Sequence, residues 1–173
     1  DPEKCAELCE LAETAKLSIM VGHVFLFNSS ILELKKIIDS GELGEIQHLE
    51  AQRTNLGPVR KDINAVWDLT SHDVSVFDFL LDSLPEAVNC VGSRRLDPNI
   101  EDTTYTTFRY PGPIIAHAHA SWLNPRKVRQ ITVIGSKKIV SVLKKNNSLK
   151  HWTSVMKTVV DQVRIILCKH ARE

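Results

Sequence analysis

The sequence predicts an α+β fold: a mostly antiparallel, open-faced sheet with helices on one face. Two observations carry this. Residues 29–40 place Ile31, Leu34, Ile37 and Ile38 at helical spacing, and residues 88–134 switch to a period of two over four successive segments. Strands that follow one another, with helices gathered elsewhere in the chain, are the pattern of α+β rather than α/β domains.

At 173 residues and 43% hydrophobic content the chain can bury one real core. No apolar run reaches the roughly 18 to 20 residues that cross a bilayer, and the start Asp1-Pro2-Glu3 does not resemble a signal peptide. A cytoplasmic protein with no membrane role is expected. Cys5, Cys9, Cys90 and Cys168 contain no CxxC pair, which argues against a disulfide framework and against a cysteine zinc site. Formal net charge is +1, but from Lys144 onward seven Lys or Arg face only Asp161 and Glu173. That basic tail reads as a solvated helical face, and no nucleic-acid partner is expected.

The elements follow in order. Pro2 to Lys16 sets Leu8, Leu11, Ala12 and Ala15 at helical spacing, and Leu17 to Val21 then reads as a short buried strand, together the end of an αβ unit. The helix over Ser29 to Ser40 is capped by Ser29 or Ser30 and stopped by Gly41. Gly44 opens an alternating run, Ile46, His48, Glu50 and Gln52, that empties into a loop at Gly57-Pro58. A helix from about Ser71 to Leu81 carries Val74, Phe77, Phe79 and Leu80. Val88 to Leu96, Asp102 to Tyr110, Ile114 to Trp122 and Val128 to Ile134 read as strands, with Pro111-Gly112-Pro113 and Leu123-Asn124-Pro125 as turns between neighbours. Beyond Lys144, Trp152, Val155, Met156, Val159, Val160, Val163, Ile166 and Leu167 form one stripe, predicting a long amphipathic helix.

The densest polar cluster is Arg53, Asn55, Arg60, Asp62 and Asn64 on that loop, with Trp67, Asp68, His72 and Asp73 behind it. Loops on a rigid scaffold concentrate binding groups, and an imidazole near carboxylates suits proton transfer around neutral pH. Asp68 and His72, four apart, share a face of one helical turn. The bland reading is that Asp68 caps the helix and Trp67 plugs the core. Arg53 and Arg60 have the fork geometry to grip a phosphate or carboxylate. His117 and His119, two apart on a strand, project from one face, which raises a metal alternative with His72 or His48 as third ligand; the polar-stripe reading is preferred, and no metal is expected.

Met20-Val21-Gly22-His23-Val24-Phe25-Leu26-Phe27-Asn28 resembles the glucose-fructose oxidoreductase, inositol dehydrogenase and rhizopine-catabolism (Gfo/Idh/MocA) family. Three later stretches, residues 53–60, 64–73 and 121–127, resemble its sugar-nucleotide 3-dehydrogenase branch, and Ile134-Gly135-Ser136-Lys137-Lys138 extends the likeness. The resemblance implies an NAD- or NADP-dependent dehydrogenase that oxidises a secondary hydroxyl of a sugar or sugar nucleotide, and a homo-oligomer through the open sheet face. It implies that His72 exchanges a proton with the reacting hydroxyl, that Asp68 holds substrate or imidazole, and that Asn28, Arg60 and Asn64 grip substrate. Arg53 and Trp67 complete the expected substrate-binding set.

Three departures bear on this. No glycine-rich GxGxxG loop is present, Glu3-Lys4-Cys5 does not sit where the family's Glu-Lys-Pro belongs, so Lys4 is not assigned a catalytic role, and the likeness fades after about Lys138. The expected organisation is therefore a Rossmann remnant over 1–24, a substrate and oligomerisation domain over 25–143 and a basic helical tail over 144–173, in a truncated chain. The alternative function is a non-catalytic binding or oligomerisation module.

Overall fold

A computed structural model describes residues 2–57, 59–143 and 148–153. Helix α1 spans Pro2–Thr14, a 3-10 turn Val24–Phe27, α2 Ser29–Asp39, strand β1 Ile46–Thr54, a π-helical turn Val66–Thr70 and α3 Ser71–Leu81. Strands β2 Ala87–Ser93, β3 Thr103–Arg109, β4 Ile115–Ser121, β5 Val128–Gly135, β6 Lys138–Leu143 and β7 Ser148–Thr153 follow. They form one sheet in the order β2-β3-β4-β1-β5-β6-β7, antiparallel everywhere except between β1 and β4. This is the open-faced α+β architecture the period change predicts.

Alternation decides which face is covered. On one side Leu49 and Ala51 of β1 lie beside Ala116 and Ala118 of β4 and Val133 and Ile131 of β5, all buried. Because β4 contributes only alanines to this layer, volume comes from the helices: Ile31, Leu34 and Ile37 of α2, and Val76, Phe77 and Leu80 of α3. Phe77 meets Phe108 of β3 edge-on, centroids 6.0 Å apart. Each large side chain buried this way contributes roughly 2 kcal/mol before entropy is charged against it. The opposite face carries His48, Glu50, Gln52, Tyr105, Thr107, His117 and His119 and has no helix over it among the described residues.

Four expectations are corrected. Leu17 to Val21 is not a strand: it is exposed and pairs with nothing in the sheet, since a strand exists only by its neighbours' hydrogen bonds. The cap of α2 is Asn28, whose Oδ1 accepts from the Ser30 N–H at 2.9 Å, one residue ahead of the expected serines. Leu123-Asn124-Pro125 does not join sheet neighbours, because β1 is inserted between β4 and β5. The loop instead passes over the end of β1, where the Thr54 hydroxyl donates to the Arg126 carbonyl at 3.0 Å and the Asn55 N–H to the Ser121 carbonyl at 3.0 Å. Finally, the sheet continues past Lys144, with Ser148–Thr153 as its last strand where an amphipathic helix is predicted. The rest of that predicted helix, 154–173, lies outside the described residues.

Gly135 closes β5 against the turn after α2. A Cβ there would lie 2.2 Å from the Leu43 carbonyl oxygen and 2.8 Å from the Leu43 Cβ, a backbone contact with no flexible atom to yield. Gly135→Ala is therefore expected to cost about 1–3 kcal/mol, read as a lowered midpoint in urea unfolding, whereas Gly112→Ala in the open β3–β4 turn meets nothing and suffers only from its positive φ of 76°.

Candidate functional site

The polar cluster gathers where β1 ends and α3 begins. Between them, the π-helical turn brings the Ser71 N–H back to the Val66 carbonyl, five residues away. Such single-turn bulges inside helices re-aim side chains and are frequent at functional sites. Here the bulge carries Asp68. Its carboxylate accepts from Trp122 Nε1 at 3.0 Å, fastening the turn to the end of β4, and lies 3.8 Å from an Arg60 nitrogen. Asp68 therefore does not cap the helix. The N-cap residue of α3, Thr70, makes no side-chain cap bond either.

His72 sits one turn on, half-buried. Its ring lies 5.1 Å from that of Phe25 in the 3-10 turn, and the guanidinium of Arg53 stands over the same Phe25 ring at 4.2 Å. Arg53 in turn grips Asp73 with two nitrogens, the shortest contact being 2.6 Å, and both side chains are almost fully enclosed, 6% and 1% exposed. Arg53 is thus drawn into the interior and committed to Asp73, away from the gripping role expected of it. Burial pushes the Asp73 carboxyl up while the guanidinium opposes that rise. Burial pulls the His72 imidazole below its ordinary value of 6.5; Arg53 and His23 reinforce this, and Asp73 and Asp68 oppose it.

The remaining expected residues divide into two places. Asn64 and Trp67 line an open groove of about 500 Å³ with Lys61, Asp62, Asn99 and Glu101. Trp67 is 70% exposed, so it does not plug the core; it is an apolar plate beside hydrogen-bonding groups. Asn64 is held from both ends, donating to Glu101 at 3.0 Å and accepting the Trp67 N–H at 3.2 Å. Arg60 is exposed and pairs with Asp62 at 2.6 Å. Asn28 lies elsewhere, in a small cleft with Phe25, Ile31, Arg53 and Arg129, its oxygen already occupied as a helix cap. Asp73, already part of the polar cluster, joins Phe25 and Trp122 in building the surroundings of His72 and Asp68; the Phe and the Trp had no assigned role, because in sequence they are indistinguishable from core.

On the uncovered face, His48, Glu50, Gln52, Tyr105, Thr107, His117 and His119 line a depression of about 400 Å³. Tyr105 stacks flat on His119 at 4.3 Å, His48 and His117 lie 5.0 Å apart, and Thr107 Oγ1 meets His117 Nδ1 at 2.9 Å. Among the described residues no three His, Cys, Asp or Glu side chains converge as metal ligands. No helix among them is long and apolar enough to cross a membrane.

A one-layer open sheet with helices on one face is an open-faced α+β domain. The chain belongs to the GFO/IDH/MocA family, whose C-terminal domain matches residues 31–141. Solved structures share its fold, among them the following three. An oxidoreductase from Pseudomonas syringae superposes with a TM-score of 0.78 at 21% identity, over 88% of this chain and 44% of that one. UDP-N-acetylglucosamine 3-dehydrogenase GnnA from Acidithiobacillus ferrooxidans gives 0.76 at 23%, over 90% and 50%. The WlbA dehydrogenase from Bordetella pertussis, in complex with NADH and UDP-GlcNAcA, gives 0.75 at 21%, over 87% and 48%. The chain spans about half the length of these structures. Comparison with the curated proteins finds no match.

The lowered histidines have a consequence for stability. His48, His72 and His119 all lie below 6.5, burial being the first cause in each. The unfolded chain therefore takes up protons before the folded one does. The stability these rings contribute is complete above pH 6.5 and is lost as pH falls through their folded values. The raised Asp73 and Asp78 act with the opposite sign, from 3.8 upward. Thermal melts at pH 7.5 and 5.5 are expected to show a lower midpoint at the acid value, and substitution of His72 by Gln should shrink the difference.

Proposed function

We propose that this chain is the substrate-binding and acid–base half of an NAD- or NADP-dependent dehydrogenase that oxidises a secondary hydroxyl of a sugar or sugar nucleotide. The observation that carries it is His72, half-buried on the first turn of α3, biased to its neutral form and four residues from Asp68 in the π turn. A secondary alcohol is a poor acid, so removing its hydride requires a base to take the proton as charge develops. A neutral imidazole does that near neutral pH, and Asp68 stabilises the imidazolium that results. Arg60, Asn64, Trp67 and Asn28 are assigned to substrate. The exposed Trp67 plate suits the apolar face of a pyranose ring, and Asn64, Asn99 and Glu101 suit its hydroxyls.

The hydride carrier is a different matter. None of the seven glycines falls in a GxGxxG pattern. We assign its binding to a separate nucleotide domain, of which residues 1–24 are the adjoining end. Residues 25–143 form the substrate and oligomerisation domain, extended by β7. The reaction takes place in the cytoplasm, and copies of the chain associate through the uncovered sheet face. That face also favours a second reading, a non-catalytic oligomerisation module, because its stacked Tyr105 and His119 are arranged independently of His72.

Calorimetric titration distinguishes the two. Binding of a UDP-linked N-acetyl sugar but not of NADH is expected for the substrate half, and binding of neither leaves the oligomerisation module. Trp67→Ala should weaken the sugar about tenfold if a ring stacks there. In a two-domain form completed with a nucleotide-binding domain, His72→Ala should lower kcat by about 10²–10⁴ with little change in KM. Wild-type turnover in that variant removes His72 from the chemistry.

A further inference from the structure

The densest unexplained feature is the closed ring of contacts around His72. Asp73 follows His72 in α3; Arg53 on β1 holds Asp73 bidentately; the Arg53 guanidinium lies on Phe25; and Phe25 returns to the His72 imidazole. Three separately placed elements, the 3-10 turn, β1 and α3, therefore meet at one imidazole. A buried, paired guanidinium is an expensive way to anchor a helix, since an apolar pair of the same volume serves stability as well or better.

The charges facing His72 are unequal. Arg53 approaches from β1 and His23 from the segment before the 3-10 turn, while Asp73 lies on its own helix and Asp68 on the π turn. Arg129 of β5 is the cross-strand neighbour of Arg53 and has no carboxylate partner among the described residues, whereas Arg53 is paired with the buried Asp73.

We propose that Arg53, Asp73 and Phe25 are positioning residues that fix the His72 ring and set the charge it experiences. The proposal rests on reading His72 as the acid–base group. Arg53 and Asp73 act as a balanced pair: the guanidinium disfavours the imidazolium, the carboxylate keeps the guanidinium from doing so excessively, and the Phe25 ring touches both the guanidinium and the imidazole. All three act through His72.

The test is histidine titration by NMR on this chain, labelled at histidine, with the His72 signal assigned by its loss in His72→Gln. Asp73→Asn should lower the His72 midpoint by roughly one pH unit, because Arg53 is left uncovered. Arg53→Met with Asp73→Asn, which orphans no buried charge, should bring it back to the wild-type value or above. Phe25→Leu, which changes no charge, should alter the His72 ring shifts and hydrogen-exchange rate and should move the midpoint by less than Asp73→Asn does. A merely structural pair would lower the melting temperature and leave the midpoints together; that result overturns the proposal, as does a shift of both charge variants in the same direction. If Asp73→Asn fails to fold, the double variant and Phe25→Leu still decide the matter: a His72 midpoint below the wild-type value in the double variant, or unchanged His72 ring shifts and exchange rate in Phe25→Leu, overturns it. A full-length enzyme that tolerates His72→Ala would remove the catalytic reading while leaving these midpoints, and the brace, intact.

Discussion

The bidentate contact between Arg53 and Asp73 is what the rest of this arrangement leans on. It joins the central strand to the one helix that carries both Phe77, the plug of the core, and His72. Neither ion can leave its partner without stranding a charge in a space that excludes water, a penalty of about 3–5 kcal/mol. The helix is thereby held to one rotation about its axis, and with it the direction of every side chain on its first turn. Hydrophobic contact alone would fix the distance between helix and sheet but would tolerate sliding. An ion pair with fork geometry does not.

The two faces of the sheet use the same strands for different purposes. Toward the helices, β1 and β4 present Leu49, Ala51, Ala116 and Ala118; one residue along, they present His48, Glu50, His117 and His119. A core can be built only from the first set. The second set is too polar for a core and too ordered for a random surface: Tyr105 lies flat on His119 and Thr107 bonds His117. Strand alternation is thus the device by which one short sheet carries a packed interior and a separate, ordered polar face.

What could be seen in the sequence was whatever depends on neighbours along the chain. The stripe of Ile31, Leu34 and Ile37 and the alternation of β3 and β4 are local, and both stand in the structure within a residue or two of the expected limits. What depended on distant partners was not legible. Leu17 to Val21 has the composition of a strand but no neighbour to pair with, and β1 takes its place between β4 and β5 through residues more than sixty positions away. Ser148–Thr153 fell inside a stripe that fits a helical wheel, and pairing with β6 overrides that fit. The site shows the same division. Asp68 and His72 stand out as an acid and an imidazole four apart, whereas the use of Arg53 inside the molecule, the exposure of Trp67 and the bond from Trp122 to Asp68 are tertiary facts.

The insertion of β1 between β4 and β5 also sets the order in which the molecule can assemble. The hairpins β3–β4 and β5–β6 can close within a few residues, but neither can be joined to the other until residues 46–54 arrive between them. The step that creates the domain is therefore a docking of distant segments, and its barrier is dominated by chain entropy rather than by local propensity. During synthesis the helices and β1 emerge early and must wait, with Leu49 and Ala51 unburied, for strands that leave the ribosome tens of residues later. For this topology, exposure to premature association is a matter of timing.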